Sequence, residues 1–240
     1  MNIAIIGYGK MGHIVEKIAR ERGHHIVAII DRGDTGEFAS HAFASADVAI
    51  EFSQPDAAVE NILASFAAGV PVVSGTTGWK EYMPEIKAIC DKGEGTLLWS
   101  SNFSIGVNIF MAVNRYLARI MNSYPQYKPE LEEVHHIHKL DHPSGTAITL
   151  AEEIIGTDNR LKRWEEIEVI DAPEDVLPVK AIRHDEVPGI HTIRWDSPVD
   201  TITISHSAKS REGFALGAVM AAEWLKGRKG FYSMSDFLKF

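Results

Sequence analysis

Residues 133–147 read Glu133-Val134-His135-His136-Ile137-His138-Lys139-Leu140-Asp141-His142-Pro143-Ser144-Gly145-Thr146-Ala147, placing four of the eleven histidines beside a lysine and a hydroxyl-bearing turn. Histidine ordinarily titrates near neutrality, so His135 can pass a proton at working pH, and Lys139 can neutralise negative charge that develops nearby. The pair points to proton transfer to an anionic substrate. Imidazole is also a common zinc ligand, so His135, His136, His138 and His142 could instead hold a metal. On a strand, however, His136 and His138 share a face that His135 does not, and a metal site built from them needs a bend. A solvated, inert strand is the third reading.

The elements that must position these groups follow from hydrophobic spacing. Residues 131–139 read as a strand with Glu133, His135 and Lys139 on one face, which sets an opposite charge beside His135. Pro143 must end that strand, and residues 146–155 read as a helix opened by small, hydroxyl-bearing residues. The free N–H groups at its start, with the Ser144 and Thr146 hydroxyls, suit a carboxylate or phosphate.

Earlier in the chain, the apolar run 2–6 stops at Gly7-Tyr8-Gly9-Lys10-Met11-Gly12, and Met11, Ile14, Val15, Ile18 and Ala19 then recur with helical spacing. The run 26–30 ends at Asp31. This is the strand, glycine turn, helix, strand and acid of a dinucleotide site: Gly7 permits the turn, Gly9 lets a pyrophosphate approach, and Gly12 lets the helix pack closely. Asp31 would accept from an unphosphorylated ribose and Arg32 could hold a 2′-phosphate, so both NADH and NADPH are expected. Further strands are expected at 46–52, 70–74 and 96–99, with helices at 57–68 and 82–91 between them. Their ends deliver Phe52-Ser53, Gly75-Thr76-Thr77-Gly78 and Ser100-Ser101-Asn102-Phe103 to the edge of a parallel sheet where ligands bind.

From Ser104 the pattern changes. A helix is expected at 106–121, then segments at 167–170, 179–184, 191–196 and 201–207 follow one another without helices between them. An apolar helix at 214–225 is expected to pack back on the first domain. The expected class is therefore α/β. A Rossmann-type parallel-sheet domain covers 1–103 and 209–240, and a second α+β domain with a mixed or antiparallel sheet covers 104–208.

The net charge of −9 argues against a general nucleic-acid binder, and means that an anionic substrate must be captured by a local cationic pocket. One cysteine, Cys90, leaves no intramolecular disulfide to form and fits a reducing cytosol. No apolar run reaches the roughly 18 residues of a membrane span, and the start of the chain lacks a signal-peptide layout. A cytoplasmic protein is expected.

With these residues in view, the sequence resembles the dihydrodipicolinate reductases, also called 4-hydroxy-tetrahydrodipicolinate reductases, of lysine and diaminopimelate biosynthesis. Residues 133–147 fit that family's E-x-H-H-x-x-K-x-D-x-P-S-G-T-A pattern at every fixed position, and Gly7 to Gly12, Gly75 to Gly78 and Asn102-Phe103-Ser104 are supporting matches. The resemblance implies hydride delivery to ring C4 of a cyclic unsaturated dicarboxylate after loss of its 4-hydroxyl, and protonation of the adjacent carbon. It implies His135 as general acid and Lys139 as charge stabiliser and substrate ligand, with His136 on the substrate and Ser144, Gly145 and Thr146 on one carboxylate. It also implies an NADH or NADPH site formed by Gly7, Tyr8, Gly9, Lys10, Met11, Gly12, Asp31, Arg32, Phe52, Ser53, Gly75, Thr76, Thr77, Ser100, Asn102 and Phe103. No resident metal is implied. Family members are commonly homotetramers joined through the second-domain sheet. Two departures stand out in the run Arg183 to His191, where Asp185 replaces a glycine and Ile190 a glutamate. The later run through His206, Ala208, Ser210, Arg211, Phe214, Ala215 and Gly217 is kept. Two other readings share the same fold, a non-catalytic dinucleotide sensor and a reductase of another small acid. The second leaves the His-Lys-Ser-Gly-Thr segment without a purpose.

Overall fold

The computed structural model of the chain describes residues 1–167 and 172–240. In order, its strands and α-helices are β1 (Asn2–Ile6), α1 (Lys10–Glu21), β2 (His25–Ile30), α2 (His41–Ala44), β3 (Val48–Glu51), α3 (Pro55–Ala67), β4 (Val72–Ser74), α4 (Met83–Asp91) and β5 (Thr96–Trp99). Then come α5 (Ile105–Met121), β6 (Lys128–His135), α6 (Gly145–Ile155), β7 (Arg163–Glu166), β8 (Val176–Arg183), β9 (Ile190–Asp196), β10 (Thr201–Ser207), α7 (Glu212–Leu225), β11 (Gly230–Tyr232) and α8 (Met234–Leu238). The chain divides into two compact units, Met1–Ile105 with Glu212–Phe240, and Gly106–Arg211. No helix among the described residues is long and apolar enough to cross a membrane.

The first unit is a six-stranded sheet in the order β11-β5-β4-β3-β1-β2, with every pairing parallel. Strands buried on both faces need continuous apolar runs, and β1 (NIAII) and β3 (VAIE) supply them. Helix α1 buries Gly12, Val15, Ile18 and Ala19, the one-sided stripe expected of a helix laid on a sheet. All parallel strands release their chains at the same edge, so the loops after β1, β2, β3, β4 and β5 lie along one line.

The second unit is a five-stranded sheet in the order β10-β9-β6-β8-β7. It is mixed: β6 runs parallel to β8 and antiparallel to β9, β7 pairs parallel with β8, and β10 pairs antiparallel with β9. Central strand β6 alternates strictly, with Pro129, Leu131, Glu133 and His135 on its buried face. Leu131 joins Phe110, Leu150, Ala151, Ile154 and Trp195 in the core beneath helix α6. The same face therefore passes from hydrocarbon to two ionisable groups at the strand's last turn.

The strand expected at 131–139, and with it the place of Lys139, is corrected. The strand expected at 131–139 ends at His135, because its partner β8 ends opposite it at Arg183 and the His184 N–H closes on the His135 carbonyl at 2.8 Å. Lys139 therefore lies in a turn, where its N–H donates to the His136 carbonyl at 3.1 Å, and not on the strand face with Glu133 and His135. The strand expected at 167–170 falls almost entirely on 168–171, outside the described residues, and the observed β7 precedes it. The tail contributes β11, paired parallel to β5; three residues beginning at a glycine carry no alternation to reveal it.

Truncating a buried leucine costs about 2–5 kcal/mol through lost burial and the cavity left behind. Leu131→Ala should accordingly lower the denaturation midpoint of the second unit strongly, measured by urea titration.

Candidate active site

Glu133 has no exposure to solvent and stands at the centre of the second unit's ionisable groups. Its Oε1 accepts from the Ser144 backbone N–H at 2.9 Å and from an Arg183 guanidinium nitrogen at 3.1 Å. Its Oε2 lies 3.0 Å from His135 Nδ1 and 3.6 Å from His191 Nε2. The 3.0 Å approach to His135 is close enough for an ion pair but too oblique for an aligned hydrogen bond. Burial favours the neutral acid, yet the contacts from His135, His191 and Ser144 outweigh it and hold the Glu133 carboxyl far below the ordinary carboxylate range. Glu133 is thus ionised, and its charge is shared among strand, helix start and the β8 end.

His135 is buried, with its ring 5.1 Å from that of His191. Burial is the main influence on His191 and lowers its pKa, against the raising effect of Glu133. Gly189 lies against His135 Nε2: a Cβ built there would stand 2.9 Å from that nitrogen, at a backbone φ of +154°. Ser144 caps helix α6, accepting the Ala147 N–H at 3.2 Å, and its Oγ lies 3.3 Å from His191 Nε2. Helix α6 begins at Gly145, one residue earlier than expected, with Gly145 exposed and Thr146 partly so.

Lys139 pairs with Asp141 at 2.8 Å. Burial works against ionisation of Asp141, but the hydrogen bond and charge of Lys139 bring its carboxyl below the ordinary range. Arg183 ties this turn to Glu133, donating to the Asp141 carbonyl at 2.6 Å. His136 follows the strand, its ring 6.1 Å from that of His138. His138 pairs with Glu186 at 3.1 Å and His142 with Glu166, so the four histidines considered as metal ligands do not converge. Among the described residues, the cluster that does converge is Glu133, His135 and His191, with ligand atoms within 4.8 Å of one another, and Arg183 already compensates that carboxylate.

Arg183, Gly189 and His191 are the residues that reasoning from hydrophobic spacing missed. The signal available was their place in the run Arg183 to His191. Within it Asp185 keeps a left-handed backbone, φ +43°, a conformation that aspartate tolerates better than most residues, and its carbonyl accepts the Ile137 N–H at 3.1 Å. Ile190 opens β9 opposite Val134.

In the first unit, the Gly7 N–H donates to the Ile30 carbonyl at 2.8 Å and the Tyr8 N–H to Asp31 Oδ1 at 3.3 Å, which joins the glycine turn to the end of β2. The Tyr8 hydroxyl bonds Glu16. A Cβ on Gly7 would meet the Phe52 carbonyl at 2.1 Å and one on Gly12 the Gly7 carbonyl at 2.3 Å, whereas one on Gly9, which precedes α1, meets nothing within 4 Å. The turn is therefore closed toward the protein and open at the helix start, as a pyrophosphate requires. Lys10, Asp31, Arg32 and Thr77 are exposed; Met11, Ser53, Gly75 and Asn102 are half-buried. Ser100 Oγ donates to the Asn102 carbonyl at 2.8 Å and Asn102 Oδ1 accepts the Ser104 N–H at 2.9 Å. Phe103 is buried, its ring 5.9 Å from that of Phe52.

A parallel sheet with this glycine turn, carried with a buried His-Glu pair beside a capped helix start, defines a dinucleotide-dependent oxidoreductase. The family model for the N-terminus of dihydrodipicolinate reductase matches residues 1–103 and that for its C-terminus matches 106–238. The 4-hydroxy-tetrahydrodipicolinate reductase of Christiangramia forsetii is 46% identical over 99% of this chain and 98% of its own, and that of Archaeoglobus fulgidus is 35% identical over the whole of both. The fold is that of the dipicolinate-bound dihydrodipicolinate reductase from Paenisporosarcina sp. TG-14, with a TM-score of 0.77 at 23% identity over 97% of each chain. The chain belongs to the dihydrodipicolinate reductase family.

Two outcomes test this geometry. Gly189→Ala should reduce activity and also lower the melting temperature, because the added methyl presses on His135 Nε2 and the backbone at φ +154° strains any L side chain. Glu133 is held below its ordinary value of 4.5, so its stabilisation is complete above that pH and is lost as pH falls beneath it. Glu133→Gln should therefore cost about 1–3 kcal/mol at pH 7, and the deficit should shrink in urea denaturation below pH 4.5.

Proposed function

We propose that the chain catalyses reduction of 4-hydroxy-tetrahydrodipicolinate to tetrahydrodipicolinate in lysine and diaminopimelate biosynthesis, with NADH or NADPH as reductant. The observation that carries this reading is the bridge made by Glu133, which joins a candidate proton donor, His135, to the start of helix α6 through the Ser144 N–H. The 4-hydroxyl leaves as water with a proton from the adjacent ring carbon, and the reduced nicotinamide, when bound, would supply a hydride to ring C4 of the unsaturated ring that results. His135 presents Nε2 on the Gly189 side and gives the proton to the adjacent ring carbon, while the Glu133 carboxylate steadies the imidazolium through Nδ1. Ser144, Gly145 and Thr146, at a helix start where N–H groups and dipole favour anions, take one carboxylate of the substrate. Lys139, drawn from Asp141, neutralises the other and the charge that develops on the ring, and His136 supplies a further contact.

The dinucleotide lies on Gly7, Tyr8, Gly9, Lys10, Met11 and Gly12, along the ends of the strands at Phe52, Ser53, Gly75, Thr76, Thr77, Ser100, Asn102 and Phe103. Asp31 receives an unphosphorylated ribose and Arg32 a 2′-phosphate. The second unit, set at 104–208, holds the substrate and is the surface of assembly into a homotetramer. Support for assembly comes from β10, an edge strand with Thr201, Ile202 and Thr203 exposed, an unpaired edge of the kind that proteins usually cover. A cytoplasmic location fits the one cysteine, Cys90, buried and free.

The deciding experiment generates the substrate in place with a dihydrodipicolinate synthase and follows NADH and NADPH oxidation by absorbance. Oxidation that depends on the synthase product is expected; NADH binding with no oxidation would leave a sensor instead. His135→Ala should lower turnover by about 10²–10⁴-fold with NADH affinity held, and Lys139→Ala should lower both turnover and substrate affinity. Arg32→Ala should raise the KM for NADPH by about 10-fold and that for NADH far less, as loss of one charge-assisted phosphate contact predicts.

A further inference from the structure

Glu51 ends strand β3 in the first unit with no exposure to solvent, and the reduction described above makes no use of it. Its Oε1 accepts from the Ser53 N–H at 2.9 Å, the Ser53 hydroxyl at 2.5 Å and the Thr76 hydroxyl at 2.7 Å, and its Oε2 accepts from the Ser74 hydroxyl at 2.6 Å. Every one of these partners is a hydroxyl or a backbone N–H. Burial is the largest influence on the carboxyl and raises its pKa above the ordinary value, over the lowering by these four bonds.

The donor inventory fixes where the hydroxyl protons go. If the carboxylate is ionised, all three hydroxyls must donate to it. If it is neutral with its proton on Oε2, toward Ser74, Oε1 still accepts the Ser53 N–H and both the Ser53 and Thr76 hydroxyls. In both states the Ser53 and Thr76 protons point inward. Thr76 Oγ1 also receives the Ser53 N–H at 2.9 Å, and Ser53 Oγ receives Asn61 Nδ2 at 3.1 Å. The Thr76 carbonyl takes two indole donors, Trp79 Nε1 at 2.8 Å and Trp99 Nε1 at 3.0 Å, so the residue is held from both ends. The capacity left on each hydroxyl oxygen is that of an acceptor.

We propose that Glu51 is a positioning residue of the dinucleotide site. It ties the loop after β3 to the loop after β4 and turns the Ser53 and Thr76 hydroxyls into acceptors, so the ligand group they receive is a hydrogen-bond donor, such as a ribose hydroxyl or the carboxamide nitrogen of nicotinamide. This rests on the placement of Ser53 and Thr76 in that site.

The test is NADH titration of the full-length chain by fluorescence at low temperature, with circular dichroism to establish folding, followed by steady-state kinetics. Glu51→Gln can keep Oε1 toward Ser53 and Thr76 and donate from its amide nitrogen to Ser74, so its Kd for NADH should stay within about 3-fold of the parent, whereas Glu51→Met, with similar length and no acceptor, should raise it about 10-fold or more. The KM for NADH should rise in parallel while the KM for the dicarboxylate holds. Glu51→Ala replaces the methionine variant if that one fails to fold. Equal loss in the glutamine and acceptor-free variants, or no loss in either, overturns the proposal. Ser53→Ala and Thr76→Val distinguish the two levels. Unchanged NADH binding in both removes the placement on which the proposal stands, while weakened binding in them without loss in Glu51→Met removes only the role of Glu51.

Discussion

A carboxylate sealed from water is among the costliest groups a fold can contain, and the second unit is arranged around compensating one. Glu133 comes from the central strand, His135 from two residues further along it, Ser144 from the start of helix α6, Arg183 from the end of β8 and His191 from β9. Four elements are drawn to one charge. Moving any of them by an ångström would leave the carboxylate or one of its partners unpaired in a low-dielectric setting, so the same contacts that stabilise the charge also fix the orientation of His135. Stability and the placement of the proposed proton donor are one constraint here.

The first unit meets a related problem with different chemistry. Glu51, equally hidden, has hydroxyls and a backbone N–H as partners in place of imidazoles and a guanidinium. Contacts from His135, His191 and Ser144 hold Glu133 ionised well below its ordinary range, whereas burial raises the carboxyl of Glu51. One carboxylate is suited to stand opposite an imidazolium that gains and loses a proton. The other is suited to directing neutral hydroxyls. Burial is common to both, and the nature of the partners decides which way each group is driven.

Much of the fold was legible along the chain because parallel, doubly buried strands must be continuously apolar and must alternate with one-sided helices. The runs ending at Ile6, Ile30, Glu51, Ser74 and Trp99 carry that pattern without ambiguity. Boundaries were less legible where a tertiary partner sets them. The strand ending at His135 was read four residues too long, because nothing local distinguishes Ile137 from Leu131; what stops the strand is the end of β8, far away in the sequence. Strand β11 escaped notice because three residues cannot show a period, and it exists only because β5 offers an open edge.

The types of the candidate site groups were written in the sequence: a histidine two residues after a glutamate on an alternating strand, a lysine shortly beyond, and a Ser-Gly-Thr helix start are local facts, as is the glycine turn that opens the chain. The approach of Glu133 to His135 was legible too, but its other partners were not. Arg183 and His191 lie fifty or more residues from Glu133 and reach it only because β8 and β9 flank β6 on either side. Sheet order depends on the packing of the whole unit against helices α5 and α6, and no spacing within a single segment encodes it.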